Sequence, residues 1–408
     1  MSVSHSDIET AHRRLYDEGI AHETPIETSR SLDAITGGTI RLKLEHLQRT
    51  GSFKIRGAFN KMRDIVSSKP EVDHVVTASA GNHAQGVALA AGRMGLDSTV
   101  VMPKNAPQSK IDATASYGAT VELHGDSFQA AVEYAQTLLS DGAVFVHAYD
   151  EPAIVAGQGT LGIELAEQLP ELNTVVVPIG GGGLIAGVAL ALSELRPETR
   201  VVGVQAEGAA TVPQSLREGQ PQSATTVRTI ADGIATGSIS NLTYNLIEAH
   251  VDSVVTVSES QITESVLFLL ERSKQLVEPA GAVTVAAIQS DSLDVSNETV
   301  VPVLSGGNLT LTDLRTILSD GLMSRDRLVR LRVRITDKPG EIATVSEQIG
   351  ARGVNIENVR QERASNELAP DEAFLYFRLE TTGAEQTERI VTSLQTAGYR
   401  VKQDSQKC

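Results

Sequence analysis

The chain has 408 residues and one cysteine, Cys408, at its end. That excludes an internal disulfide and any metal cluster built from cysteines. Basic residues are in deficit, 35 against 51 acidic, for a formal charge of −16. Phosphate backbones demand a basic footprint, so no nucleic acid is expected as a partner. Lysine is scarcer than arginine, and this acidic balance would suit a salt-rich cytosol, although many mesophilic proteins share it. No apolar run approaches a membrane-spanning length, and the N-terminal MSVSHSDIETAHRR has no apolar signal core. The expectation is a cytoplasmic protein without a membrane partner.

What is present is ordinary for a soluble globular chain: 41% hydrophobic and 21% charged residues. The length exceeds one compact core and calls for two or three domains. The segment around which the rest is organised is GSFKIRGA at 51–58. Lys54, set between Phe53 and Ile55, is poorly placed for a solvated charge and well placed for a pocket. Partial burial lowers a lysine's pKa, as a Schiff-base amine requires. On these eight residues alone, a lysine snorkelling from a strand-to-helix junction accounts for the pattern equally well.

Read in order, residues 7–19 form an amphipathic helix, 41–45 a short strand, and the stretch after Lys54 a helix to about Val66. A strand at 75–77 runs into SAGNHAQG at 79–86, then a helix stopping at Gly95 and a strand at 99–102. Strand, glycine-containing turn, helix and strand make a βαβ unit, hence a parallel sheet. SAGNHAQG therefore sits where a helix N-terminus presents free N–H groups to an anion. A helix cap by Asn82 fits the same residues. Strand 119–123, helix 128–139 and strand 143–147 repeat the pattern before DEPAIVAGQGT.

Residues 174–179 are a continuous apolar run, as expected for a strand buried on both faces, and Gly180, Gly181, Gly182 and Gly183 follow, leading into LIAGVALALSEL. Four glycines there are costly unless backbone must approach something closely, and phosphate is the natural candidate. The spacing is not GxGxxG, no acidic residue ends the next strand at 201–204, and no P-loop lysine is present. A dinucleotide and a nucleoside triphosphate are thus disfavoured. Residues 208–245 are Ser/Thr/Gly-rich and read as an irregular excursion. Strand 254–257 leads to a capping box at Ser258 and Gln261, opening a helix to about Gln275. EPAGA at 278–282 breaks that helix and starts another, and a buried strand at 300–304 ends in Ser305-Gly306-Gly307-Asn308. Three strand ends, at 79, 180 and 305, together with one lysine describe a single cofactor pocket.

From about Arg325 the pattern becomes period two: 328–335 reads as a half-buried antiparallel strand, followed by the turn Asp337-Lys338-Pro339-Gly340. A helix to about Arg352, strands 354–362 and 374–381, a helix 385–397 and a strand 399–402 complete the ferredoxin-like order β-α-β-β-α-β. No catalytic set lies there, so the region is assigned to regulation or assembly.

With Lys54, SAGNHAQG, GGGGL and SGGN in place, the chain resembles the pyridoxal-phosphate enzymes of the tryptophan-synthase-β fold type, and within them the threonine dehydratases. DEPAIVAGQGT and ADG at 231–233 extend the resemblance over nearly the whole chain. It implies an α/β protein: two open, mainly parallel-sheet lobes over 1–325 (the smaller at about 45–150) and an ACT-like regulatory domain over 326–408. It further implies that Lys54 would hold pyridoxal 5'-phosphate as a Schiff base, with Phe53 packed on the ring and Asn82 bonded to the ring hydroxyl. Gly180 to Gly183 with Leu184 would cradle the phosphate, and Ser305 would face the pyridine nitrogen. Ser79, Gly81, Asn82 and His83 would receive the substrate carboxylate.

The implied reaction is dehydration and deamination of L-threonine to 2-oxobutanoate and ammonia, with Lys54 taking the α-proton. A serine-preferring dehydratase and a serine racemase of the same fold are its rivals, and a non-catalytic amino-acid sensor is the rival of another class. Racemases of this type carry a serine base where Ala80 stands, and their cation site is matched by Glu207 but not by Pro213, so any metal stays unassigned. Isoleucine or valine is the implied effector, with Asp337 and Gly340 as candidate contacts, although DKPG is also simply a good turn. ACT domains pair, so a homo-oligomer is expected.

Overall fold

The computed structural model describes residues 2–139 and 142–403. The chain divides into two compact units between Thr310 and Leu311. The first opens with α1 (His5–Asp17), whose capping box of Ser4 and Asp7 fixes its start and whose Ile8, Ala11 and Leu15 face inward. Then come β1 (Ile26–Thr28), α2 (Arg30–Thr36), β2 (Thr39–Lys43) and α3 (Lys54–Ser68), so Lys54 is the first residue of a helix.

A smaller sheet follows, built from β3 (His74–Ala78), α4 (Asn82–Met94), β4 (Asp97–Met102), α5 (Gln108–Ser116), β5 (Thr120–Leu123), α6 (Phe128–Thr137) and β6 (Ala143–Phe145). Its order is β5-β4-β3-β6 and all its pairings are parallel. The strands β3 and β4 read as strands because β-branched residues dominate them and buried valines fill their centres.

The larger sheet takes β7 (Thr174–Pro178), β8 (Arg200–Ala206), β9 (Ser253–Val257) and β10 (Thr299–Pro302) together with β1 and β2. The order is β1-β2-β10-β7-β8-β9, parallel throughout except for β1. Helices α7 (Pro152–Gln168), α8 (Gly183–Leu195), α9 (Val212–Glu218), α10 (Asn241–His250), α11 (Glu259–Phe268) and α12 (Pro279–Gln289) accompany it. Strand β7 is buried along its whole length, as its unbroken apolar run requires. Helices α7 and α8 meet backbone to backbone: a Cβ on Gly187 would lie 2.5 Å from the Gly159 nitrogen.

Residues 208–245 are more ordered than their composition suggests. Pro213 in the first turn and Gly219 (φ +67°) bracket α9, and a capping box of Ser240 and Thr243 starts α10. The helix expected to reach Gln275 ends its regular α turns at Phe268 and continues as a π turn through Ser273.

The second unit consists of α13 (Leu311–Ser324), β11 (Leu328–Thr336), α14 (Glu341–Gly350), β12 (Asn355–Glu362), β13 (Glu372–Glu380), α15 (Ala384–Thr396) and β14 (Arg400–Gln403). Its sheet is antiparallel with order β12-β13-β11-β14. The alternation along β11 sends Val329, Leu331, Val333 and Ile335 into a core shared with α14 and α15. The compact boundary places α13, read from sequence as part of the first domain, with this unit.

Candidate active site

Lys54 begins α3, and its backbone is tightly enclosed: a Cβ on Gly86 of α4 would lie 3.2 Å from the Lys54 carbonyl carbon. The residue as a whole is partly exposed, while its amine is enclosed, 3.4 Å from the Ala148 carbonyl and 5.1 Å from the centre of the Phe53 ring. Burial pulls its pKa down to about 8, against the opposing pull of the Glu278 carboxylate.

Hydrogen bonds join three of the segments singled out from sequence. Phe53 N–H donates to the Ser305 carbonyl at 3.2 Å. The Asn308 side-chain amide donates to the Thr50 carbonyl at 2.6 Å and to Asn82 Oδ1 at 2.8 Å. Asn82 Nδ2 in turn donates to Glu278 Oε1 at 2.7 Å. Asn82 is thus the first residue of α4 rather than its cap. Gly81 is the N-cap, and no side chain caps the helix. Ser79 Oγ accepts the Gly81 N–H at 3.2 Å, and a Cβ on Gly81 would meet nothing within 4 Å, so the space beside this turn is open.

His83 lies behind the turn, 4% exposed, with Nε2 3.2 Å from the Val146 carbonyl. Burial, then the nearby Lys54 charge, lower its pKa to about 3, so it is neutral and adds no positive charge to the site.

The glycine segment is reached through Tyr149. A Cβ on Gly181 would lie 2.1 Å from the Tyr149 ring, and one on Gly183 would lie 3.2 Å from its Cβ. Gly182 has φ +88° and faces Thr243 and Ile247. Part of the demand for glycine therefore comes from the protein's own packing. The N-terminus of α8 nonetheless remains buried without a side-chain cap, and Leu184 is 5% exposed. A buried helix start carrying N–H groups without intrahelical acceptors fits an anion such as a phosphate. Ser305 is 3% exposed, and the buried Ser52 hydroxyl has no hydrogen-bond partner.

Three functional candidates escaped the sequence reading. Glu278 is 8% exposed, and burial raises its pKa to about 6, with the Asn82 hydrogen bond opposing. Space is left for it, since a Cβ on Gly306 would come 2.4 Å from its Oε1. Its signal was a charge directly ahead of Pro279 and a run of small apolar residues. Asn308 lay within a quoted motif without a role. Tyr149, whose hydroxyl donates to the Ser238 carbonyl at 3.4 Å, gave no signal.

In the second unit, Asp337 accepts from Arg363 Nε at 2.6 Å and Gln361 Nε2 at 2.9 Å, and the Arg363 hydrogen bond holds its carboxyl below the usual range. Gly340 is the N-cap of α14, φ +93°, with no side-chain cap. Among the described residues no cluster of three or more His, Cys, Asp or Glu could hold a metal ion, and no helix is long and apolar enough to cross a membrane.

Comparison with known proteins agrees with this arrangement. The family model described as pyridoxal-phosphate dependent enzyme matches residues 18–306. The L-threonine ammonia-lyase of Thermotoga maritima is 42% identical over 401 residues, covering 98% of this chain and 99% of that one. The Escherichia coli K12 protein named L-threonine dehydratase catabolic TdcB is 42% identical over 320 residues, 78% of this chain and 96% of its own. Among solved structures, the processed form of threonine deaminase isoform 2 from Solanum lycopersicum superposes with a TM-score of 0.72 at 37% identity, covering 76% of this chain and 90% of that one. The chain belongs to the pyridoxal-phosphate dependent enzymes.

Proposed function

We propose that the chain is a threonine ammonia-lyase, converting L-threonine to 2-oxobutanoate and ammonia. The observation that carries this reading is the enclosed Lys54 amine, lowered to about pKa 8, on a segment whose Phe53 N–H bonds the Ser305 carbonyl and whose Thr50 carbonyl is joined through Asn308 to Asn82. Pyridoxal phosphate, when bound, supplies an electron-withdrawing ring that acidifies the Cα–H of an amino acid. Lys54 would hold it, and the Lys54 Nζ, in its neutral form, would be the base for the α-proton. A lysine lowered this far is neutral in an appreciable fraction near pH 7.

The uncapped start of α8, with Gly180 to Gly183 and Leu184, receives the phosphate. Asn82 has one N–H committed to Glu278 and a second to offer the ring hydroxyl. Ser79, Gly81 and Asn82 at the start of α4 receive the substrate carboxylate through backbone and hydroxyl donors, beside a neutral His83. Ser305 would offer the ring nitrogen a hydroxyl rather than a carboxylate, a partner that would leave the nitrogen unprotonated and suit loss of a β-hydroxyl more than transamination. Ala80 offers no proton to the opposite face, so racemisation is weak. Serine is accepted to a degree set by one methyl group, about 1 to 3 kcal/mol of discrimination.

The second unit acts as an ACT-like regulatory domain taking isoleucine or valine, and the cytoplasmic enzyme assembles as a homo-oligomer. Its β-α-β-β-α-β order and the Asp337 to Gly340 turn support this. The test is release of 2-oxoacid from L-threonine and L-serine with and without isoleucine, alongside Lys54→Ala. Production of 2-oxobutanoate that disappears in Lys54→Ala and falls with isoleucine is expected. No oxoacid from either substrate refutes the lyase.

A further inference from the structure

Two residues beyond Lys54, Arg56 is fully buried. Its guanidinium makes a two-pronged contact with Glu45, Nε to Oε2 at 2.8 Å and NH2 to Oε1 at 2.8 Å, and NH1 reaches Thr160 Oγ1 at 3.1 Å and the Glu164 carboxylate. Glu164 also takes Lys43 Nζ at 2.6 Å and the Tyr16 hydroxyl. The Lys43 ammonium is completed by the Thr24 carbonyl and Gln168 Oε1, each at 2.8 Å.

Two cations and two anions, with side chains at most 1% exposed, thus form a closed and balanced set. It joins α1, the end of β2, α3 and α7 at one point. Desolvating four charges brings little or no net stability compared with an apolar core of the same shape. What such a set provides is directional: a planar fork held on two sides permits one position of the helix that carries it. The surrounding backbone is equally intolerant of displacement. A Cβ on Gly157 of α7 would lie 2.6 Å from the Arg56 carbonyl, and one on Gly57 would lie 2.5 Å from the Gln158 amide.

We infer that the Arg56–Glu45–Glu164–Lys43 set is a positioning device for Lys54, holding the first turn of α3 so that the Lys54 amine meets cofactor and substrate at the geometry the reaction needs. Arg56 touches neither and acts through the helix. The inference rests on the reading of Lys54 as the cofactor-bearing lysine. A misplacement on the order of 1 Å at a reacting group costs up to about a hundredfold in rate.

Arg56→Lys keeps the charge and loses the fork. In full-length protein loaded with pyridoxal phosphate, the expected result is a kcat for threonine reduced at least about tenfold, with KM within about twofold. Slower covalent incorporation of pyridoxal phosphate at Lys54, fixed by borohydride and located by mass spectrometry of the peptide carrying it, is expected alongside. Glu45→Asp, which withdraws one carboxylate by a methylene, is read in its place if Arg56→Lys does not fold. A folded variant with wild-type kcat and incorporation rate overturns the positioning role. Absence of incorporation at Lys54 in the wild-type protein overturns instead the assignment of Lys54 on which the inference rests.

Discussion

Glu278 shows how a single residue can record the cost of a site. Its carboxyl is enclosed with the Asn82 amide and the Asn308 backbone N–H as hydrogen-bond partners, and its pKa stands at about 6 against an ordinary 4.5. Below about pH 4.5 the group is protonated in both folded and unfolded chains, and burial costs nothing electrostatic. Between 4.5 and 6 the unfolded chain ionises first, so stability falls as pH rises, and above 6 a penalty of about 2 kcal/mol persists. Denaturant unfolding of cofactor-free wild type and Glu278→Gln across pH 4.5 to 7 should show wild type losing about that amount relative to the variant. A pH-independent difference would contradict the account. Lys54 follows the opposite sign: with its pKa lowered from 10.5 to about 8, the cofactor-free protein loses stability as pH falls from 10.5 to about 8, and the full penalty persists below that. Lys54→Met should therefore melt at a higher temperature than wild type at pH 7 by calorimetry, and a lower melting temperature would count against enclosure of the amine. Enclosure of Lys54 was suggested by Phe53 and Ile55 on either side of it, and the place of Asn82 at a helix start by the strand, turn and helix order around it. Glu278 was not legible, because its partner Asn82 lies 196 positions away and nothing local announces the contact.

At the scale of elements, the strands that read most clearly were those whose burial leaves one option. The apolar runs at 174–179 and 300–304 became β7 and β10 within two residues at either end. Helix α9 was obscured because its Ser/Thr/Gly-rich surroundings outweighed good local signals at Pro213 and Gly219. The glycine segment before α8 was legible as a close approach but not as to what approaches, since Tyr149 comes from the far side of α7 and β7. That contact makes Gly181→Ala informative. The added methyl would collide with the Tyr149 ring at 2.1 Å, and overpacking of this kind costs about 1 to 3 kcal/mol. The variant should melt lower and bind pyridoxal phosphate more weakly, and Tyr149→Ala in the same chain should restore part of both. If the double variant is no better than the sum of the singles, the collision is not the cause.

At the scale of the molecule, the two units differ in charge as well as in topology. Residues 311–408 hold 15 basic and 15 acidic side chains, so the whole net charge of −16 belongs to the first 310. The core of the second unit closes on itself, with every member drawn from 329–401, and every residue assigned here to cofactor or substrate lies before 309. The alternation at 328–335 announced the change of architecture, because a period of two sustained over eight residues signals one-sided burial, whereas the central strand β7 is an unbroken apolar run. The placement of α13 was not announced, since its sequence does not say which core its buried Ile317 joins. A relative matched over 96% of its own length by 78% of this chain makes removal of the second unit the natural test. A chain ending at Thr310 should therefore fold, bind pyridoxal phosphate and release 2-oxobutanoate from threonine within a few-fold of the full-length rate, with its response to isoleucine abolished. Loss of the response with retained turnover would place the effector site in the second unit. A truncated protein that folds, turns over threonine and still responds to isoleucine would move that site into the first unit and leave Asp337 and Gly340 as a turn and a helix start.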